Sequence, residues 1–255
     1  MLFGQGGCDV ALELQRQVKD FVLRNFLFTD DDKALANGDS LIRGGIVDST
    51  GMLEVIEWLR DEFGVEVADF NLDGRLDLFL AQNFFGNNHG LTRDDAGRGL
   101  LLRGLGNGSF AALDPELSGI RIDGEGRAAS VGDPDGDGRT DLFVTQHGGA
   151  TRVLRNLQGK PGLRVRLDAG PGNPLGAGAQ ARWVGPGAAG PVRVWRFGAG
   201  GGASDSAVQV LARPEPGEGT LEVTWPGGKK VQVRVPAAAR GMRISVDGKT
   251  EEEKP

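Results

Sequence analysis

The chain has 255 residues, enough for two or three small domains. Its net charge of −6 argues against a nucleic-acid partner, and its one cysteine, Cys8, excludes an internal disulfide. Forty-three glycines against 12 prolines, with no tyrosine, point to a turn-rich β protein over much of the length.

Residues 1–8 carry neither the basic start nor the apolar core of a signal peptide, and no apolar run reaches transmembrane length. The expectation is a cytoplasmic chain with no membrane span. A chain whose signal had been removed would read the same and would be secreted or periplasmic.

Residues 11–28 follow a helical pattern, with Leu14, Val18, Phe21 and Val22 on one face. A polar loop follows over 29–39. A second helix has Met52, Val55, Ile56, Leu59 and Phe63 on its apolar face and Glu54, Glu57 and Asp61 elsewhere. Asp48, Ser49 and Thr50 are all good N-caps for it. The run Asp39-Ser40-Leu41, then Gly45-Ile46-Val47-Asp48-Ser49-Thr50, then the apolar-acidic helix ending Gly64-Val65-Glu66-Val67 resembles an acyl carrier protein. That resemblance implies a 4′-phosphopantetheine arm on Ser49, attached by a phosphopantetheinyl transferase. It also implies that Asp48, Glu54 and Glu57 face basic acyl-transfer enzymes. The family continues into a further helix, whereas here Val67-Ala68 runs straight into an acidic loop.

That loop places Asp69, Asn71, Asp73 and Asp77 at relative positions 1, 3, 5 and 9, with Gly74 at position 6. A second loop repeats the pattern with Asp133, Asp135, Asp137 and Asp141 around Gly138. Hard cations such as Ca²⁺ take six to eight oxygens, and this spacing converges several of them on one point. The glycine permits the sharp turn. The carbonyls of Arg75 and Arg139 would supply the position-7 oxygen. A hairpin turn needs only one Asn/Asp-Gly pair, not four such positions in alternation, twice. Apolar strands follow, over 76–81 and 140–145, and Leu80 and Val144 stand where an EF-hand needs glutamate, so these are not EF-hands. The repeated Asp-x-(Asn/Asp)-x-Asp-Gly-Arg-x-Asp-Leu-Phe-x-x-Gln, ending at Gln82 and Gln146, marks an internal repeat. It resembles the FG-GAP or VCBS-type repeat, a propeller blade with a calcium loop between strands. Residues 100–110 and Leu154-Arg155-Asn156 resemble the next strand and turn of that repeat. Two repeats are too few to close a propeller ring. The two histidines, His89 and His147, fall in glycine-rich loops at unmatched repeat positions and form no catalytic arrangement.

Strand-like alternation recurs over 163–167, 192–195, 208–211, 221–225, 231–235 and 243–246, with Pro-Gly and Gly-Gly turns between. A small antiparallel sandwich or barrel follows. Asn156, the run Asn173-Pro174-Leu175-Gly176-Ala177-Gly178-Ala179 and Trp225-Pro226-Gly227-Gly228 resemble the ASPIC/UnbV domain. That family implies a binding class and no reaction.

Together these observations predict a multidomain α+β chain. It has an acyl-carrier-like helical segment over 1–68 and two calcium-loop repeats over 69–158. A β-sandwich or barrel-like domain covers 159–247, and 248–255 is a disordered tail. The expected function is non-enzymatic: a calcium-binding module that scaffolds protein partners through its β domain. The alternative is an acyl or peptidyl carrier tethered at Ser49, with the β domains as docking scaffold.

Overall fold

The computed structural model describes residues 15–36, 39, 41, 44–47, 49–81, 97–107, 109–196, 206–213 and 217–253. Cys8, Asp48, Gln82 and His89 lie outside the described residues, as does the side chain of Ser49. The chain divides into two compact units, Met1–Leu59 and Arg60–Pro255. Among the described residues no helix is long and apolar enough to cross a membrane.

In the first unit residues 15–22 are α-helical (α1) and pass into a π-helical turn, Leu23–Leu27. Phe28 ends it in the left-handed region, with φ 52°. The helix α2, Ser49–Phe63, begins at the expected serine. Its apolar spacing puts Val55 into a small core with Val22, Leu23, Leu35 and Val47. Phe21 stacks on Trp58 at 4.2 Å between ring centres. Gly64, at φ 60°, stops α2, its N–H returning to the Arg60 carbonyl at 3.0 Å.

The second unit is mostly β. Strands β1 (Val65–Ala68), β2 (Asp77–Leu80), β3 (Leu100–Gly104) and β4 (Phe110–Ala112) form an antiparallel meander in sequence order. Val65–Ala68 was expected to close the helical segment, and instead it is the first strand of this sheet, with Ala68 opposite Asp77. A boundary at residue 68 would cut the sheet. The strand is buried on both faces, Glu66 included, and the Arg60 guanidinium sits 2.8 Å from that carboxylate. A second meander joins β5 (Gly126–Gly132), β6 (Asp141–Gln146) and β7 (Gly149–Leu154). Ala68, Phe70, Phe79, Ile122, Val131 and Val144 from the two meanders share one core.

The remaining strands make two four-stranded sheets. One has the order β11 (Val208–Leu211), β8 (Leu163–Asp168), β14 (Gly241–Ser245), β15 (Thr250–Glu252). The other is β10 (Arg193–Val194), β9 (Gln180–Val184), β12 (Gly219–Thr224), β13 (Lys230–Val235). Leu163, Val165 and Ile244 of the first sheet and Trp183, Leu221 and Val235 of the second bury into a common core, so the domain is a sandwich. It is not a closed barrel. Nor is it wholly antiparallel: β14 crosses from the sheet of β13 and runs parallel to β8. Most of the tail expected to be disordered is also ordered here, because the turn at Gly248 (φ 86°) brings Glu251 opposite Arg243.

Candidate metal centre

Both acidic loops join the first two strands of a meander: residues 69–76 link β1 to β2, and 133–140 link β5 to β6. In the first loop the Gly74 N–H donates to Asp69 Oδ2 at 2.8 Å and the Asp73 N–H to Asn71 Oδ1 at 2.9 Å. The Arg75 N–H donates to Asp73 Oδ1 at 2.9 Å, and the Gly104 N–H, from β3, to Asp77 Oδ1 at 2.8 Å. Each bond recurs in the second loop. Gly138 N–H reaches Asp133 Oδ2 at 3.0 Å and Asp137 N–H reaches Asp135 Oδ1 at 3.3 Å. Arg139 N–H reaches Asp137 Oδ1 at 2.9 Å, and Asn156 N–H reaches Asp141 Oδ1 at 2.8 Å. The sequence repeat is therefore also a repeat of hydrogen bonds, although in the first loop both oxygens of Asp69, Asp73 and Asp77 accept a bond, from the Asp73 and Gly74 N–H, the Asn71 amide and Arg75 N–H, and the Phe70 and Gly104 N–H respectively.

Backbone conformation explains the spacing. Position 6 is left-handed in both loops, at Gly74 (φ 89°) and Gly138 (φ 81°). Position 4 is left-handed as well, at Gly136 (φ 76°) and at Leu72 (φ 56°). A leucine there costs about 1–2 kcal/mol. Burial offsets the cost, since Leu72 packs with Val210 and Ala212 of the sandwich region.

The end carboxylates of each loop are withdrawn from water: Asp69 is 3% exposed, Asp77 2%, Asp133 5% and Asp141 1%. Desolvation therefore pushes all four acids up. Asp69 rises to about 7, burial being the main cause and the charges of Asp77 and Asp73 adding to it. Asp135 moves the other way. Desolvation is the largest single influence there and raises it, but the Asp137 N–H and the Arg155 guanidinium together outweigh it.

In the second loop, carboxylate oxygens of Asp133, Asp135 and Asp141 lie within 4.8 Å of one another. Asp133 Oδ1 and Asp141 Oδ2 are buried with no hydrogen-bond partner among the described residues. Two orphaned anionic oxygens beside a third carboxylate suit a hard cation, and oxygen is the only donor type in the set. Asp137 is instead turned to Arg139, 2.6 Å away. Of the expected ligands, the structure thus gathers three in the second loop. In the first it orients Asp69, Asn71, Asp73 and Asp77 by hydrogen bonds within the loop and to β3.

Sequence reasoning missed the anchors from outside the loops. Gly104 and Asn156 lie one strand further on, and Arg164 lies in β8, with Nε 2.8 Å from Asp133 Oδ2. Only the matching place of Gly104, the last residue of β3, and of Asn156, just past β7, could have signalled the first two. His147 follows β6 in a turn, where its N–H donates to the Glu125 carbonyl at 2.8 Å.

No curated protein matches the chain. Residues 69–144, from the first acidic loop into the strand after the second, match the FG-GAP-like repeat family.

Proposed function

We propose that the repeat region is a calcium-binding β module without catalytic activity, and that the sandwich serves protein partners as a scaffold. The observation that carries this reading is the pair of buried, unpartnered oxygens on Asp133 and Asp141. Among the described residues no donor reaches these two oxygens, although the other oxygen of each carboxylate is held by the chain. Asp69, Asn71, Asp73, Asp77 and the Arg75 carbonyl would hold one cation. Asp133, Asp135, Asp137, Asp141 and the Arg139 carbonyl would hold the other. Calcium suits these sets better than magnesium, because protein oxygens outnumber the positions left for water. The bound ion would neutralise the buried acids and pin each β-loop-β unit.

The test is thermal unfolding of the full chain in chelator and in millimolar Ca²⁺. A cation at a hundred times its dissociation constant stabilises by about 2.7 kcal/mol. Asp133→Asn with Asp137→Asn should lose part of that gain. An unchanged melting temperature in the wild type would remove the metal from the reading.

A second reading keeps the N-terminal unit as a carrier. It is favoured by Ser49 at the first residue of α2 and by the exposed Glu54, Asp61 and Glu62 along that helix. Ser49 would then bear 4′-phosphopantetheine. Intact mass after incubation with a phosphopantetheinyl transferase and coenzyme A decides it, with Ser49→Ala as the control.

A further inference from the structure

The two loops share their hydrogen bonds but not their surrounding charges. In the second loop three of the four carboxylates have a guanidinium partner. Arg164 meets Asp133 at 2.8 Å, Arg139 meets Asp137 at 2.6 Å, and Arg155 meets Asp135. Among the described residues no ion pair reaches Asp69, Asp73 or Asp77. Arg75 and Arg103 occupy the places matching Arg139 and Arg155, yet neither pairs with these acids. Arg164, which comes from the sandwich, has no counterpart in the first loop among the described residues. It is also the best sheltered of the three: its side chain is 15% exposed, against 30% for Arg139 and 60% for Arg155. Its guanidinium lies close under the loop, with Cζ 3.7 Å from where a Cβ on Gly136 would stand.

We propose that Arg164 is an internal counter-cation that sets the divalent-cation affinity of the second loop, so that the two loops fill at different cation concentrations, the first loop first. The proposal rests on the calcium reading above. A cation entering between Asp133, Asp135 and Asp141 meets the positive charge already held on Asp133. Like charges a few ångströms apart in a water-poor site oppose each other strongly. Among the described residues no guanidinium is held against the first loop's acids, so no such repulsion opposes a cation there. Because Arg164 belongs to β8, filling the second loop also weakens a tie between the repeat and the sandwich, and the cation level then governs that tie. An arginine here selects against weakly held cations without removing a ligand.

Calorimetric titration of the chelator-treated full chain with Ca²⁺ tests this. The wild type should bind in two steps. Asp133→Asn should abolish the weaker step and Asp69→Asn the tighter one. Arg164→Gln should tighten the weaker step about tenfold or more, whereas Arg164→Lys, which keeps the charge, should leave it near the wild-type value. Arg155→Gln, at an exposed position, should give a smaller rise in the same direction, so the outcome does not hang on one buried substitution. Equal affinities in the wild type, or a weaker step that Arg164→Gln and Arg155→Gln leave in place, overturns the proposal while leaving calcium binding intact. No heat from any of these proteins overturns the calcium reading and the proposal with it.

Discussion

The side-chain amide of Asn156 donates to the Phe70 carbonyl at 2.6 Å, across 86 residues of sequence. Phe70 is inside the first acidic loop. The backbone N–H of the same asparagine holds Asp141, the last carboxylate of the second loop, at 2.8 Å. Its side-chain oxygen accepts from the Gly159 N–H at 2.8 Å, which fixes the turn leading into the sandwich. One residue thus ties both loops and the following domain. Asn156→Ala should cost about 1–3 kcal/mol, because the Phe70 carbonyl loses a partner it cannot replace where it is buried. Asn156→Asp should be at least as harmful, since a carboxylate cannot donate. Urea unfolding at fixed calcium measures both, and a cost under about 0.5 kcal/mol for the alanine variant would deny the tie.

Gly104 offers a separate check on the first loop. Its N–H holds Asp77, and a Cβ there would collide with the Leu76 carbonyl oxygen. The obstacle is backbone and cannot rotate away. Gly104→Ala should therefore force β3 from β2, cost about 1–3 kcal/mol and weaken the tighter calcium step in parallel. Gly119, left-handed at φ 67° but open around its Cβ position, is the control. Gly119→Ala should cost about 1 kcal/mol and leave calcium binding alone.

The buried acids give the metal-free protein an unusual pH dependence. Asp69 titrates near 7 in the folded chain, from burial first and neighbouring carboxylates second, against about 3.9 when unfolded. A raised carboxylate favours the folded state fully below the unfolded value. That advantage is lost as pH rises through the folded value. In chelator, stability should fall between about pH 4 and pH 7, by up to about 4 kcal/mol from Asp69 alone. Asp77, Asp133 and Asp141 are pushed in the same direction by burial and add to the slope. Calcium competes with those protons, so its stabilising effect should grow over the same interval. Melting temperatures from pH 4 to 8, with and without chelator, read both trends. A chelated protein that gains stability toward pH 7 contradicts the burial of ionisable acids in the loops.

The loops were legible in the sequence because their chemistry is local. Carboxylates at alternate positions around a glycine define a converging turn without reference to anything distant. The strands with plain alternation in the sandwich were legible for the same reason, and β8, β11 and β13 fall where the pattern puts them. What failed was set by pairing across the chain. Val65-Glu66-Val67 reads as the end of a helical segment until it is laid against Asp77–Leu80, and Gln180–Val184 drew no notice among glycine-rich turns. The parallel partnership of β14 with β8 follows from a crossover between sheets that no local pattern encodes. Arg164 reads as one more charge on an alternating strand, and only the fold brings it to Asp133.

Arg193 presents the same kind of distant contact between the first repeat and the sandwich. It is 7% exposed, with Nη1 donating to the Val67 carbonyl of β1 at 3.0 Å and Nη2 to Gln209 Oε1 at 2.8 Å. Gln209, 2% exposed, is held in turn by the Ser206 carbonyl at 2.9 Å. Arg193→Met keeps the length of the side chain but strands two acceptors in the interior. It should destabilise by about 2–4 kcal/mol. Adding Gln209→Leu removes one stranded group and should recover part of that loss, a coupling that a double-mutant cycle isolates. Calorimetry supplies the sharper criterion. The wild-type second unit should unfold in one transition if this contact carries cooperativity, and Arg193→Met should split it, the sandwich melting apart from the repeat. A variant that melts in one transition, with the losses of the two substitutions simply adding, would show that the packing of Leu72 on Val210 and Ala212 holds the two parts together without the arginine.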